Sequence, residues 1–186
     1  MKLETQLDRL AELGLALNPD IKIEDLLYAY DRQAFEQQPF VLLLFCFGSE
    51  VEQEPWGRRI CDRVWNLDTE CIVSTGDYVK ILQNLCLLSE TSDYLTDIVD
   101  YIDLEEGECW LEYTIQEKRQ HWTVEANDDW ADMLTLSYVM EEIQRDGKQF
   151  YALDHSQAMI LVYCTSAIAS KLGDLCDEDL EPVIPA

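Results

Sequence analysis

The chain has 186 residues, with 38 Asp and Glu against 13 Lys and Arg, a formal net charge of −25 and a pI near 4.1. That balance argues against direct binding to nucleic acid phosphates or anionic lipid, because both need Lys and Arg to displace counterions. Almost half of the residues are hydrophobic and five are Trp, so the acidity belongs to a chain that folds rather than to a disordered polyanion.

The length fits one domain. The expected organisation is a single α+β domain over residues 1–173, with sub-units 1–60, 61–116 and 117–173, followed by an acidic, frayed tail over 174–186. The opening Met1-Lys2-Leu3-Glu4-Thr5 lacks the basic and apolar regions of a secretory signal, and the longest apolar run, Phe40 to Phe47, is too short to span a bilayer. A cytoplasmic protein with no membrane partner is therefore expected, as a monomer or homodimer.

In chain order, Leu3, Leu7, Leu10 and Leu13 recur at helical spacing up to Gly14. Ile23, Leu26, Leu27, Tyr30 and Ala34 predict a second amphipathic helix reaching about Gln37, stopped before Pro39. Phe40 to Phe47 is short and continuously apolar, which reads as a strand buried on both faces and central in a sheet. Glu50 to Gly57 reads as a loop, and Arg58, Arg59 and Arg63 form a small basic cluster beyond it.

The pattern then runs twice through strand, helix, strand, strand. Trp65 to Asp68 precedes a helix carrying Tyr78, Ile81, Leu82 and Leu85, then strands at Ile98–Ile102 and Trp110–Thr114 around the turn Glu105-Glu106-Gly107-Glu108. Trp122 to Glu125 precedes a helix carrying Met133, Leu136, Val139, Met140 and Ile143, then strands at Phe150–Asp154 and Ile160–Thr165. Duplication, or ordinary reuse of a short α+β unit, accounts for the repetition. A last helix from Ser166 is expected to end at Gly173. The strands are expected to build one mixed, mostly antiparallel sheet with helices on one face, and those from Trp110 to Glu125 should be partly exposed.

The seven Cys are scattered without a C-x-x-C pair, and with only His121 and His155 beside them no standard zinc spacing occurs. They read as small reduced core residues. The dispersed Gly form no phosphate-binding loop, so neither metal nor cofactor is expected. His121 in a strand, and His155 beside Asp154 with Ser156 and Cys164 near, are the only acid–base candidates. Nothing around them resembles a nucleophile elbow or a papain-like signature. Trp65, Trp110 and Trp122 read as core or cross-strand packing.

Negative charge concentrates in one stretch. From Ile81 to Ala186 there are 23 Asp and Glu against five Lys and Arg, with no Lys or Arg between Lys80 and Lys118 or between Arg119 and Arg145. Within it, Asn127 or Asp128 is placed to cap the following helix. The tip acids Glu105, Glu106 and Glu108, with Asp128, Asp129, Asp132 and an exposed Trp130, are the candidate surface for a basic protein partner.

In overall character the chain is similar to bacterial immunity proteins, small acidic cytosolic α+β domains that neutralise a cognate toxin. The likeness is one of type and carries no residue correspondence. It implies a non-enzymatic inhibitor of a basic toxin. The alternatives are a nucleic-acid mimic that occupies a DNA-binding protein, an enzyme or small-ligand binder using His155, Asp154 and nearby thiols, and a structural subunit pairing through a strand edge.

Overall fold

The computed structural model describes residues 1–125, 127–155 and 158–184. The fold is α+β, with seven helices and two antiparallel sheets among the described residues. Among the described residues the order is α1 (Leu3–Glu12), α2 (Ile23–Ala29), α3 (Arg32–Gln37), α4 (Val41–Phe47), β1 (Val64–Asp68), α5 (Asp77–Leu88), β2 (Leu95–Asp103), β3 (Glu108–Ile115), β4 (Lys118–Thr123), α6 (Met133–Ile143), β5 (Gln149–His155), β6 (Ala158–Cys164), α7 (Ser166–Cys176) and β7 (Glu181–Pro182).

The strands divide into a four-stranded sheet ordered β1-β6-β5-β7 and a three-stranded sheet ordered β2-β3-β4, rather than the single sheet expected. The division is systematic. Each strand–helix–strand–strand unit gives its first strand to the other unit: β4 pairs with β3, and β1 pairs with β6, both antiparallel. The two units therefore share one topology and exchange their leading strands, which ties residues 64–115 to residues 118–164. The loops after β1 and β4 also meet, through the Glu70–Trp130 bridge and the bonds from Ile72 N to Asp129 O (2.9 Å) and from Ala131 N to Thr69 O (2.8 Å).

Two apolar clusters follow from this. One lies between the sheets and gathers the inner faces of both with α5 and α6: Leu67, Phe150, Leu161 and Tyr163 from one sheet, Leu111, Tyr113 and Ile115 from the other, and Tyr78, Leu82, Leu136 and Met140 from the helices. The second packs α1 to α4 and α7 onto the outer face of the four-stranded sheet, through Val64, Leu153, Ile160 and Val162. Helices therefore cover both faces of that sheet but only one face of the three-stranded sheet.

Phe40 to Phe47 is a helix, α4, and not a central strand. Phe40, Leu43, Leu44 and Phe47 are fully buried at i, i+3, i+4 and i+7, while Val41, Leu42 and Phe45 are half-buried. A short helix pressed into a core looks as continuously apolar as a buried strand, and here Leu and Phe outnumber the β-branched residues that strands prefer. The strand buried on both faces is β6, with Ile160 to Cys164 all inaccessible. Gly48 follows α4 because a Cβ there would collide with the Asn66 side chain.

Two helix ends also differ from expectation. The helix over 23–37 breaks at Tyr30–Asp31, where the Asp31 carboxylate accepts from Ala34 N (2.8 Å) and starts α3. At the other end of the chain α7 runs through Gly173 to Cys176 and stops at Asp177, whose φ is +56°. Gly173 is needed for close packing: the chain returns against it, with Glu178 N donating to Gly173 O (3.2 Å), and a Cβ would sit 3.1 Å from Glu178 O. Beyond it Glu181–Pro182 pairs with β5, so part of the expected frayed tail is an ordered edge strand. No helix among the described residues is long and apolar enough to cross a membrane.

Candidate functional site

At one end of the three-stranded sheet three segments converge, residues 68–77, 100–109 and 124–132. The β2–β3 hairpin closes with Asp103 opposite Glu108. Asp103 Oδ1 accepts from the backbone N–H groups of Glu105 (3.1 Å) and Glu106 (3.0 Å), and Gly107 takes a φ of +71°, which an L side chain rarely adopts. Val124 N donates to Cys109 O, fixing the loop after β4 beside this tip, and Ile102 N donates to Thr75 Oγ1, fixing the approach to α5.

The three segments carry twelve Asp and Glu and no Lys, Arg or His. Besides Asp103, Asp68 holds a turn by accepting from Glu70 N (2.9 Å), and three more of the acids hold the starts of helices. Asp100, buried in β2, accepts from Gly76 N, Tyr78 N and Val79 N and so caps α5 from outside the helix. Asp77 accepts from Val73 N and Ser74 N and pairs with Lys80 (2.8 Å). Asp132 caps α6: Oδ1 accepts from Thr135 N (3.0 Å), and Oδ2 from Thr135 Oγ1 (2.8 Å) and Glu125 N (3.1 Å). Burial alone would raise the Asp132 pKa, but these bonds outweigh it and hold the carboxyl below the usual range. Asp132, and not Asn127 or Asp128, is thus the N-cap.

The other candidate residues stay at the surface. Glu105, Glu106, Glu108 and Asp128 are exposed, Asp129 is half-exposed with its carbonyl bound to Ile72 N, and Trp130 is 40% exposed. Asp103, Glu105, Glu106, Glu108, Glu125 and Asp128 take no part in the ion pairs found among the described residues. The basic cluster is no counterweight, since Arg58 pairs with Asp25, Arg59 with Asp62 and Arg63 with Glu90.

Beside this acidic end lies a feature absent from the sequence reading. On β3, Cys109, Leu111, Tyr113 and Ile115 point inward, so Trp110, Glu112 and Thr114 face solvent. Their neighbours across the ladders are Tyr101 and Val99 on β2 and Thr123, His121 and Arg119 on β4. Three rings form a row across the strands: Tyr101 stacks on Trp110 (centroids 5.9 Å apart, planes at 21°), and Trp110 meets His121 (6.0 Å, 32°). At the far end Glu112 accepts from Arg119 (2.6 Å) and contacts His121 Nδ1 (2.9 Å), bonds that lower its pKa. At the near end the charges of Asp103 and Glu108 raise the Tyr101 phenol. The period-two pattern from Cys109 to Ile115 already contained the outward placement of Trp110; grouping Trp110 with Trp65 and Trp122 hid it. Trp122 does face inward, stacked on Tyr138 (5.3 Å, 9°) and donating to Tyr113 Oη.

Among the described residues no Ser or Cys is found in contact with His121. His121 contacts only Glu112 and Trp110 among the groups above. Ser156 and the side chains of Asp154 and His155 lie outside the described residues. Six of the seven Cys are buried and Cys71 is half-buried, none in a disulfide. Burial pushes Cys46 and Cys176 up to about 12 and Cys61, Cys71 and Cys164 up to about 11, which keeps them protonated and poorly nucleophilic near neutrality. No three His, Cys, Asp or Glu among the described residues are grouped to hold a metal ion. An open depression of about 510 Å³ at Arg63, Glu90, Tyr94 and Arg145, and another of about 460 Å³ at Met133, Met159, Asp179 and Glu181, are lined by neither Cys nor His. Comparisons with family models, with curated proteins and with solved structures find no match for the chain.

Proposed function

We propose that the chain is a non-enzymatic binding protein that neutralises a basic protein partner, in the manner of an immunity protein acting on a bacterial toxin. The observation that carries this reading is the convergence of three base-free segments at one end of the three-stranded sheet, where Glu105, Glu106, Glu108, Glu125 and Asp128 are exposed and take no part in the ion pairs among the described residues, while Asp77, Asp100 and Asp132 hold the starts of α5 and α6. Like charges held together repel and cost stability. A cationic partner docking there removes that cost, and the field speeds its encounter. Glu105, Glu106, Glu108, Asp128 and Asp129 supply the field, and half-exposed Trp130 supplies an apolar contact. The same surface serves a mimic of nucleic acid charge, for which the partner is a DNA-binding protein.

The test is coexpression with the product of the adjacent coding region. The expected result is growth arrest by that product alone, relief by this chain, and a purified complex whose association slows as salt rises, because exposed charges are screened over about 8–10 Å at ordinary ionic strength. Changing Glu105, Glu106 and Glu108 to Lys should slow association, whereas Trp130→Ala should speed dissociation. A neighbouring product with no effect on growth and no complex with this chain removes the support for the toxin reading.

A further inference from the structure

We infer that the bare outer face of the β2-β3-β4 sheet is the docking surface itself, and that it takes an arginine-bearing segment of the basic partner on the Tyr101–Trp110–His121 row. This rests on the proposed function and names where and by what chemistry the partner is held. The first argument is the contrast with the other sheet. The equivalent outer face of β6, in a unit of the same topology, is covered by α1 to α4 and α7 and buries Ile160 and Val162. Among the described residues nothing of the kind covers the face of β3: Val99 is 42% and Tyr101 38% exposed, and Trp110 is only partly buried.

The second argument is charge complementarity. Asp103 and Glu108 sit directly opposite each other on neighbouring strands, an arrangement that is unfavourable for like charges unless a cation lies across it. They are two residues from Tyr101 and Trp110 respectively, hence on the same face as the rings. No Lys or Arg of the described chain pairs with either. A row of rings flanked along its strands by two carboxylates suits a guanidinium, which can lie against an open aromatic face and donate in its own plane to carboxylates, better than a strongly hydrated ammonium. Within the chain both kinds of cation meet a ring, Arg145 at 4.9 Å over Tyr94 and Lys148 at 6.0 Å over Tyr163, the guanidinium the closer of the two.

The test uses an oligo-arginine peptide and an oligo-lysine peptide of equal length and charge, titrated into the isotope-labelled full chain at physiological salt. The expected result is tighter binding of the arginine peptide by about fivefold, with the largest shifts at the Trp110 indole and the amides of Tyr101, Glu108 and His121. Trp110→Ala should abolish the preference and leave weak, equal binding of both peptides. Near-UV circular dichroism checks that the variant is folded, and Tyr101→Ala provides an independent removal of ring area from an exposed position.

Equal affinity for the two peptides, or shifts confined to residues 68–70 and 128–130, overturns the inference while leaving the acidic end available to a partner. Failure of both peptides to bind overturns it too. The coexpression result judges the broader reading separately, so the two can fail independently.

Discussion

The two sheets carry equivalent units on unequal terms. In the four-stranded sheet the central strand β6 is buried on both faces, between the inter-sheet core and the helical layer of α1 to α4 and α7. In the three-stranded sheet the central strand β3 is buried on one face only, in strict alternation. The covered sheet is the more sensitive to truncation, because both faces of β6 exclude water and any side chain shortened there opens a cavity. The open sheet contributes half as much to the core and leaves rings and carboxylates in solvent. A surface can be spared from packing in this way only because the exchange of β1 and β4 locks the open sheet onto the covered one.

The sharpest way to break this comparison is to truncate the outer face of each central strand. Ile160→Ala on β6 removes a fully buried side chain and should cost about 2–5 kcal/mol. Trp110→Ala on β3 deletes more atoms but should cost less than Ile160→Ala, because its outer side is open to solvent and the ring pairing itself is worth only about 0.5–1.5 kcal/mol beyond the area it buries. Urea unfolding of the two variants measures both. If Trp110→Ala proves the more damaging, the open face belongs to the core and its rings are not spare surface.

A smaller effect separates the acids that hold the fold from those that do not. Asp132→Ala removes the α6 cap and should cost about 1 kcal/mol, whereas Asp128→Asn, at an exposed position with a φ of +54°, should be close to neutral. The pH dependence follows with a definite sign. The folded pKa of Asp132 lies below its ordinary 3.8, so its contribution is fully present above about 3.8 and is lost as pH falls through the depressed folded value. Asp77, likewise depressed, acts in the same window. Asp132→Asn should therefore lose less stability than the parent between neutral pH and strong acid. Parallel acid limbs for the two proteins would show that Asp132 titrates as it does in the unfolded chain.

Local order was legible in the residues where one periodicity dominated. Leu3 to Leu13, Tyr78 to Leu85 and Met133 to Ile143 read as helices, and Trp110 to Thr114 as a strand, because their apolar spacing admits one geometry. Phe40 to Phe47 failed because an element surrounded by core has no polar face to reveal its period. The division into two sheets and the exchange of β1 and β4 are long-range pairings that no local spacing encodes. The acids of the candidate surface were legible as a cluster, but their division into caps and free charges was not: Asp100 caps a helix more than twenty residues earlier, and Asp132 rather than Asp128 starts α6. The aromatic row required the pairing of Tyr101 with Trp110, which depends on the hairpin register.

The smallest expected effect tests whether the acidic end truly stores repulsion. Glu108 faces Asp103 across the hairpin, and the Asp103 carboxylate is fixed there by the N–H groups of Glu105 and Glu106. The Asp103 carboxylate cannot turn far from Glu108 without losing the turn. Glu108→Gln keeps the shape and removes one charge, so it should stabilise the folded chain by a few tenths of a kcal/mol at low ionic strength, the lower end of the range for cross-strand charge pairs. The gain should fade as salt shortens the screening length to about 3 Å near 1 M. Thermal unfolding of parent and variant at low and high salt measures the difference. The equivalent covered sheet offers a control, since β6 has no acidic residue from Ala158 to Cys164 and a neutral substitution there should show no salt dependence. A Glu108→Gln variant that is less stable than the parent at low salt would mean that Glu108 already has a favourable contact within the chain, and the open face would then lose its unneutralised charge as an argument for a cationic partner.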